Sequence, residues 1–497
     1  MNRYKPALYF LPFLVLAVLN SGGYRYGASD QAFYLPVVLA KLDPALYPRD
    51  LAVIAAQARL TTYDEVVALI VRVTGASVPV VFGVLHVASL ALIALGTWLV
   101  AKRVYRTPWA CVALLAAMTL RHAIARSGTN TLEGYFHPRQ LAFGLGLIAV
   151  AMFLRGRFVA VAVLVAAAAL VHPTAALWFA IWLGAAAAIV SRPVRRWMTI
   201  AALPSAAIGA WVLTAGPLAG RLAVMDDEWL RMLSGKNYLF ILQWPLYAWI
   251  LNPGYIAVVG WIYARRRRAG LVDQRERALA LGIFSLAIVF IVFLLMQAMH
   301  VVLSFQLQPA RLFLMFDFLA TVYAVWAIAE GRPVEAGFSR PDSRPDTRAR
   351  LAALVILAFS IARSAYVSVE IGRPVIQTTI PDDDWGRAMA WARGTDRGSG
   401  WLADPMHAIL YGTSVRVAGE RDVFVEGVKD TALGIYDRAI AERTEARLRE
   451  LDDFNALSRE KTRQLAARYG LDYLVTENPI DLPLAFESGA IRIYRLR

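Results

Sequence analysis

From residue 278 to residue 299 no side chain carries a charge, and almost all are aliphatic or aromatic. A helix on the surface of a soluble protein keeps a polar stripe. A run this long without one points to a bilayer, whose core of about 30 Å takes roughly 20 apolar residues as a helix. The same ruler picks out eleven segments: residues 4–22, 78–101, 107–120, 140–154, 158–171, 174–190, 197–215, 245–263, 278–300, 312–329 and 351–369. Residues 107–120 are the weakest, and nine to thirteen spans fit the pattern. Small residues are frequent inside them and allow helices to approach closely in lipid. The composition agrees. The 497 residues have a mean hydropathy of +0.49, with 58% hydrophobic and 18% charged, against about a quarter charged in soluble domains. Disorder is excluded by this hydrophobicity. A lone cysteine, Cys111, excludes a disulfide scaffold and a thiolate cluster.

The formal charge of +15 raises the question of nucleic acid, and its distribution answers it. Residues 370–497 hold 18 basic and 21 acidic side chains, and the first 369 residues hold 34 and 16. The positive charge therefore belongs to the apolar part, so nucleic acid is not needed to explain it. It alternates from loop to loop. One set carries Arg3 and Lys5, Lys102, Arg103 and Arg106, Arg155 and Arg157, Arg192, Arg195 and Arg196, Arg265 to Arg268 with Arg275 and Arg277, and the arginines between Arg332 and Arg350. Basic loops face the cytoplasm. The expected product is a multi-pass protein of the plasma (inner) membrane, with a cytoplasmic N-terminus and an outer C-terminus. A signal peptide at residues 4–22 is a weaker alternative, because no clean cleavage site follows.

Two regions are expected. Residues 1–369 form a transmembrane domain, with a long first outer loop at 23–77 and a cytoplasmic linker at 330–350 containing Pro333, Pro341 and Pro345. In the loop, residues 32–42 and 50–58 suit helices lying on the membrane face, and residues 237–249 read as interfacial. Residues 370–497 form a small soluble module, α/β or α+β. Helices are expected at 385–393, 431–451 and 458–469, the last capped by Gly470. Strands are expected at 401–403, 415–417, 423–425, 473–476 and 491–494. The module has no phosphate loop, paired cysteines or nucleophile elbow, so it reads as a packing or substrate-binding cap.

A few residues could carry chemistry. Asp30 stands just after the first span. It reads first as the cap of a helix beginning near Gln31. Desolvation beside the membrane would also raise its pKa and make it a better base. Glu133, His137 and Arg139 gather at a helix start, with Arg121, His122 and Arg126 nearby. Arginines on the outer side oppose the usual bias, which suggests that an anion holds them there. His172 sits between two apolar runs, and such a residue is more often a satisfied polar group than a ligand. Gln308 and Arg311 open the tenth span, and the Arg311 fork matches a phosphate. Asp317 is buried in that span, and Arg363 is its expected partner. The acidic triplet Asp226, Asp227 and Glu228 reads as a solvated turn. No spacing supports zinc.

These features together resemble the GT-C superfamily of integral-membrane glycosyltransferases, in an uncharacterised bacterial branch. The resemblance rests on one span, an acidic residue soon after it, surface-lying helices, many further spans and an outer tail. It rests also on short motifs: Tyr26 to Phe33 around Asp30, Asp43 to Asp50, His137-Pro138-Arg139, His172-Pro173 and Gln308-Pro309-Ala310-Arg311. In the tail, Trp385, Trp401 to Pro405 and Tyr469 to Tyr473 are similar too. The resemblance implies an α-helical polytopic fold of about eleven spans with a small outer module. It implies hexosyl or pentosyl transfer from a polyprenyl-phosphate-linked sugar to an acceptor at the outer face, with membrane lipids as surroundings. Asp30 would be the base or a metal ligand, and Glu133 a second acidic residue. Arg311 would meet the lipid phosphate, helped by Arg139 and His137, with His172 and Gln308 completing the substrate-binding set. Asp30 is followed by Gln31 rather than a second acid, and the tail lacks a WWD-type motif. Those departures leave a divalent metal open and count against protein glycosylation. The rival classes are a transporter or flippase of a lipid-linked or anionic substrate, and a non-catalytic envelope assembly protein. A transporter should show paired repeats of broken helices, and none is visible.

Overall fold

The computed structural model describes residues 7–59, 61–331 and 345–497. Arg3, Lys5, Arg332, Arg340 and Arg344, with most of the linker and its Pro333 and Pro341, lie outside the described residues. A helix stands at each of the eleven expected segments. Six are long and apolar enough to cross a membrane: Val78–Val104, Pro173–Val190, Arg192–Thr214, Gln274–Ala298, Pro309–Ala329 and Thr347–Ile371. The chain is a multi-pass membrane protein. Other apolar helices are shorter. Pro108–Met118 has 11 residues, about 16 Å of rise, and cannot cross a bilayer by itself.

Small residues set one close crossing. A Cβ added at Gly96 would lie 2.6 Å from the Cβ of Leu147, and one at Gly144 would lie 2.8 Å from that of Leu92. The helices Val78–Val104 and Pro138–Leu154 therefore touch through backbone, as small residues permit in lipid. The buried Asp317 does not pair with Arg363. His122 Nδ1 lies 2.8 Å from its carboxylate, while Arg363 donates to the carbonyl and side chain of Asn20. The expected partner sits on another helix and finds a nearer acceptor.

The first loop holds the two expected helices, Gln31–Leu42 and Leu51–Ala58. A third, Tyr63–Thr74, ends on Gly75 at φ +67°. The tail carries a mixed five-stranded sheet in the order Asp422–Val423, Gly400–Leu402, Tyr473–Thr476, Ile491–Arg495, Leu484–Ser488. The first three strands run parallel, and the last two pair antiparallel with their neighbours. Strand Leu484–Ser488 had no counterpart in the sequence reading.

Two expected elements are otherwise built. Residues 415–417 are not a strand. They lie in one turn of π-helix, Val415–Gly419, started by Ser414, whose Oγ accepts from Val417 N–H. Residues 431–451 are not one helix. They divide into Gly427–Leu433 and Arg438–Leu451, and the break has a reason. The carbonyls of Gly434, Ile435 and Tyr436, freed from helical bonding, accept from Trp229 Nε1 at 2.9 Å, Gln306 Nε2 at 3.0 Å and Arg221 at 2.7 Å. Three donors from the segments around Arg221, Trp229 and Gln306 thus hold the tail at its break.

The π-turn aims Arg416 inward, where it is 1% exposed. Its Nε donates to Asp50 Oδ2 at 2.9 Å, and its two terminal nitrogens donate to Asp430 at 2.5 and 3.0 Å. Arg443 reaches the other Asp50 oxygen at 2.5 Å. Tyr47 O–H donates to the Arg416 carbonyl at 2.6 Å. The motif from Asp43 to Asp50 is therefore a dock for the tail. Removing one partner of a buried ion pair strands the others and costs about 3–5 kcal/mol. Arg416→Gln is expected to lower the free energy of unfolding by that order and to open the tail to protease, measured on purified protein in detergent. Intact resistance to protease would refute the dock. Burial works to raise the Asp50 carboxyl, but Arg416 and Arg443 outweigh it and hold it below its ordinary value. This stabilisation is complete above the unfolded value of about pH 4. It is lost as pH falls through the lower folded value.

Candidate active site

Asp30 precedes the helix Gln31–Leu42 but does not cap it, since its side chain bonds no helix N–H. The Gln31 side chain instead braces the approach to the helix, accepting from Gly27 N–H at 2.6 Å. The Asp30 carboxylate turns instead toward Lys429, Tyr135 and His137. Lys429 Nζ lies 3.0 Å from Oδ1, and Tyr135 O–H donates to Oδ2 at 3.3 Å. His137 Nε2 lies 3.7 Å from Oδ2. The ammonium of Lys429 also sits 4.7 Å above the ring of Phe33.

This arrangement overturns the expectation of a raised carboxyl. Burial does push Asp30 upward, but Lys429, with His137, outweighs it and holds the carboxyl well below its ordinary value. Asp30 is ionised at neutral pH. His137 accepts Arg139 N–H on Nδ1 at 3.0 Å, so a neutral ring carries its hydrogen on Nε2, facing Asp30. Burial and the Arg139 charge push His137 down to about 3. His172 is held low as well, first by burial and then by His137. It caps its helix, accepting from Ala175 N–H at 3.2 Å.

Three cavities meet around these residues. A middle one of about 220 Å³ is lined by Asp30, Tyr34, His137, Gln308, Arg311 and Tyr436. A second, of about 320 Å³, shares Tyr34, Arg311 and Tyr436 and adds His172, Leu177 and Leu307. A third, of about 450 Å³, shares Asp30 and is bordered by Arg25, Arg121, Glu133 and Arg363. Asp30 therefore stands between the middle and the arginine-lined cavity. Arg311 stands between the middle and the apolar one. Arg311 Nε and Gln308 Oε1 are buried with no hydrogen-bond partner among the described residues.

Backbone strain gathers here. Ser29, immediately before Asp30, has φ +54°. Gln308, at the start of the turn carrying Arg311, has φ +48°, and Arg121 has φ +52°. Each left-handed non-glycine residue costs on the order of 1–3 kcal/mol and persists only where its surroundings impose it.

The structure brings Asp30, His137, Gln308 and Arg311 to one space, with His172 in the adjoining cavity. Glu133 and Arg139 stand behind it as a buried pair at 2.6 Å, and Asn130 donates to both Glu133 oxygens. Burial holds the Glu133 carboxyl above its ordinary value despite Arg139. Arg126 stays apart, donating to Tyr247 O–H. In the acidic triplet, Asp226 caps a helix by accepting Trp229 N–H and also pairs with Arg438. The donor set fits a divalent metal poorly. Such a cation takes several oxygens, yet no three His, Cys, Asp or Glu residues cluster among the described residues. Asp30 already faces an ammonium.

Sequence reasoning missed Lys429 and Arg25. Lys429 reaches Asp30 across a sequence separation of 399 residues, and no local pattern announces it.

No protein-family model matches the chain, and no curated protein matches it in sequence. Some solved structures align with most of the chain. The oligosaccharyltransferase of Archaeoglobus fulgidus in its apo form gives a TM-score of 0.47 at 11% identity, over 96% of this chain and 70% of that one. The oligosaccharyltransferase AglB of the same organism, bound to an inhibitory peptide and a dolichol-phosphate, gives 0.48 at 11% identity, over 95% and 70%. The mycobacterial arabinofuranosyltransferase AftD gives 0.49 at 14% identity, over all of this chain but only 40% of that one.

Proposed function

We propose that the protein is a glycosyltransferase moving a sugar from a polyprenyl-phosphate-linked donor to an acceptor hydroxyl at the outer membrane face. This reading takes the N-terminus as cytoplasmic and residues 370–497 as an outer module. The observation that carries it is the position of Asp30. An ionised carboxylate stands between two cavities, and a buried guanidinium with an unpaired Nε closes the far side of one of them.

Each group has a role in the transfer. The polyprenyl chain lies along Leu177, Leu218, Leu303 and Leu307 of the apolar cavity. Its phosphate meets Arg311, and its sugar fills the middle cavity. The acceptor hydroxyl arrives beside Asp30. Its oxygen bonds to the anomeric carbon while the bond from that carbon to the phosphate oxygen breaks. The electron pair leaves with the polyprenyl phosphate, and the hydroxyl proton passes to Asp30. Arg311 stabilises charge growing on the leaving phosphate. At rest Lys429 makes Asp30 a weak base. The incoming hydroxyl displaces the ammonium from Oδ1 and returns the carboxyl toward a useful basicity.

Three outcomes are expected in membranes supplied with radiolabelled polyprenyl-phosphate sugars. Asp30→Asn lowers transfer by about 10²–10⁴, the usual size of a general-base effect, with the protein still folded. Wild-type turnover by that variant would remove Asp30 from the mechanism. Arg311→Ala weakens donor binding, seen as a higher KM for the donor, and an unchanged KM would discard its phosphate role. Lys429→Met lets the Asp30 carboxyl rise. The acid limb of the kcat/KM profile, which reports the free enzyme, should then move to higher pH, and a limb that stays in place would contradict the pairing.

A further inference from the structure

The largest of the three cavities holds more positive charge than the transfer step uses. Arg25, Arg121 and Arg363 all border its space of about 450 Å³. Its two carboxylates are already engaged, Asp30 by Lys429 at 3.0 Å and Glu133 by Arg139 at 2.6 Å. Arg121 reaches Glu133 only at 3.7 Å, and its Nε donates to the Leu132 carbonyl. Among the described residues Arg363 bonds neutral oxygens of Asn20, through one of its nitrogens. Arg25 Nε is buried with no hydrogen-bond partner among the described residues. Burial and the like charges of Arg373 and Arg121 push the Arg25 guanidinium below its ordinary value. Cations crowded in this way lower their energy by sharing an oxyanion, which each guanidinium can meet with paired donors.

We propose that the cavity between Asp30 and these three arginines is a binding site for an oxyanion, a carboxylate or a phosphate, carried by the molecule that accepts the sugar. Its assignment to the acceptor rests on the reading above, in which the donor phosphate occupies Arg311 across the middle cavity. The anion site itself does not depend on that reading. The cavity is within the range of small-molecule sites and has room for a sugar ring bearing such a group. The anion anchors the acceptor on the arginines, and a neighbouring hydroxyl then faces Asp30.

The test uses the full-length protein purified in detergent, with thermal stability followed against added methyl phosphate, methyl glucuronoside or neutral methyl glucoside. At least one of the two anionic probes is expected to stabilise the protein saturably, and the neutral sugar is not. The anionic probe that binds identifies the source of the oxyanion. Arg25→Gln and Arg363→Gln should each weaken that apparent affinity at least about fivefold. Arg468→Gln, at an exposed position remote in sequence from the cavity, should leave it unchanged. Because Arg363 also bonds Asn20, Arg25→Gln decides the matter if the other variant fails to fold. Saturation by neither anion would overturn the proposal. So would equal stabilisation by methyl glucoside, or an unchanged affinity in Arg25→Gln. This readout needs no catalysis. Full transfer by Asp30→Asn would end the mechanistic reading and leave the anion site standing, whereas loss of anion binding with normal transfer would end only the present inference.

Discussion

A single buried guanidinium holds the two ends of the chain in register. Arg416 meets Asp50 from the first loop and Asp430 from the tail, and Arg443 and Tyr47 tighten the same knot. Charges removed from water in this way are tolerable only when each finds its partners. The arrangement therefore has one good geometry rather than many. Apolar contacts of Val53 and Ala56 with Leu433 and Ile440 extend the same seam. Parallel pairing of Tyr24 and Arg25 with Ile376 and Gln377 adds backbone hydrogen bonds on another side. Asp30 and Lys429 come together because this seam fixes the helix Gly427–Leu433 above the first loop.

The seam and the strain are parts of one design. Left-handed backbone at Ser29 and Gln308 turns Asp30 and Arg311 toward a common space. Isolated segments would relax out of those conformations. Packing of the loop against the tail, and of the tenth span within the helical core, holds them in place. The stability of the whole thus supports local geometries that are unfavourable by themselves, and the cavities exist because of it.

Much of this was legible from residues alone. Runs of apolar residues marked a helix at each of the eleven segments, and six of these, among the described residues, are long and apolar enough to cross a membrane. Caps were legible as well. Gly470 ends its helix with φ +65°, and Pro138 opens another behind His137. What escaped depends on contacts distant in sequence. Residues 415–417 alternate as a strand would, but Arg416 must reach two carboxylates, and the chain winds into a π-turn to let it. Residues 431–451 have continuous helical propensity, yet donors from Arg221, Trp229 and Gln306 compete for the carbonyls at 434–436. The candidate site divides in the same way. Asp30, His137 and Arg311 announced themselves by charge in an apolar setting. The ammonium that sets the basicity of Asp30 did not, because nothing near Lys429 distinguishes it from other tail residues. A desolvation argument for Asp30 was sound as far as it went, and a distant counter-ion reversed its sign.

That counter-ion has a consequence in time. A growing chain exposes Asp30 early and acquires Lys429 only 399 residues later. Until then the first loop carries a bare carboxylate, and its dock at Asp50 has no guanidinium to receive. The membrane helices can assemble during this interval, but the cavity beside Asp30 cannot take its final electrostatic form. The final form of this cavity therefore waits for a residue 399 positions further along the chain, and a chain that stops before Lys429 keeps the carboxylate without the charge that restrains it.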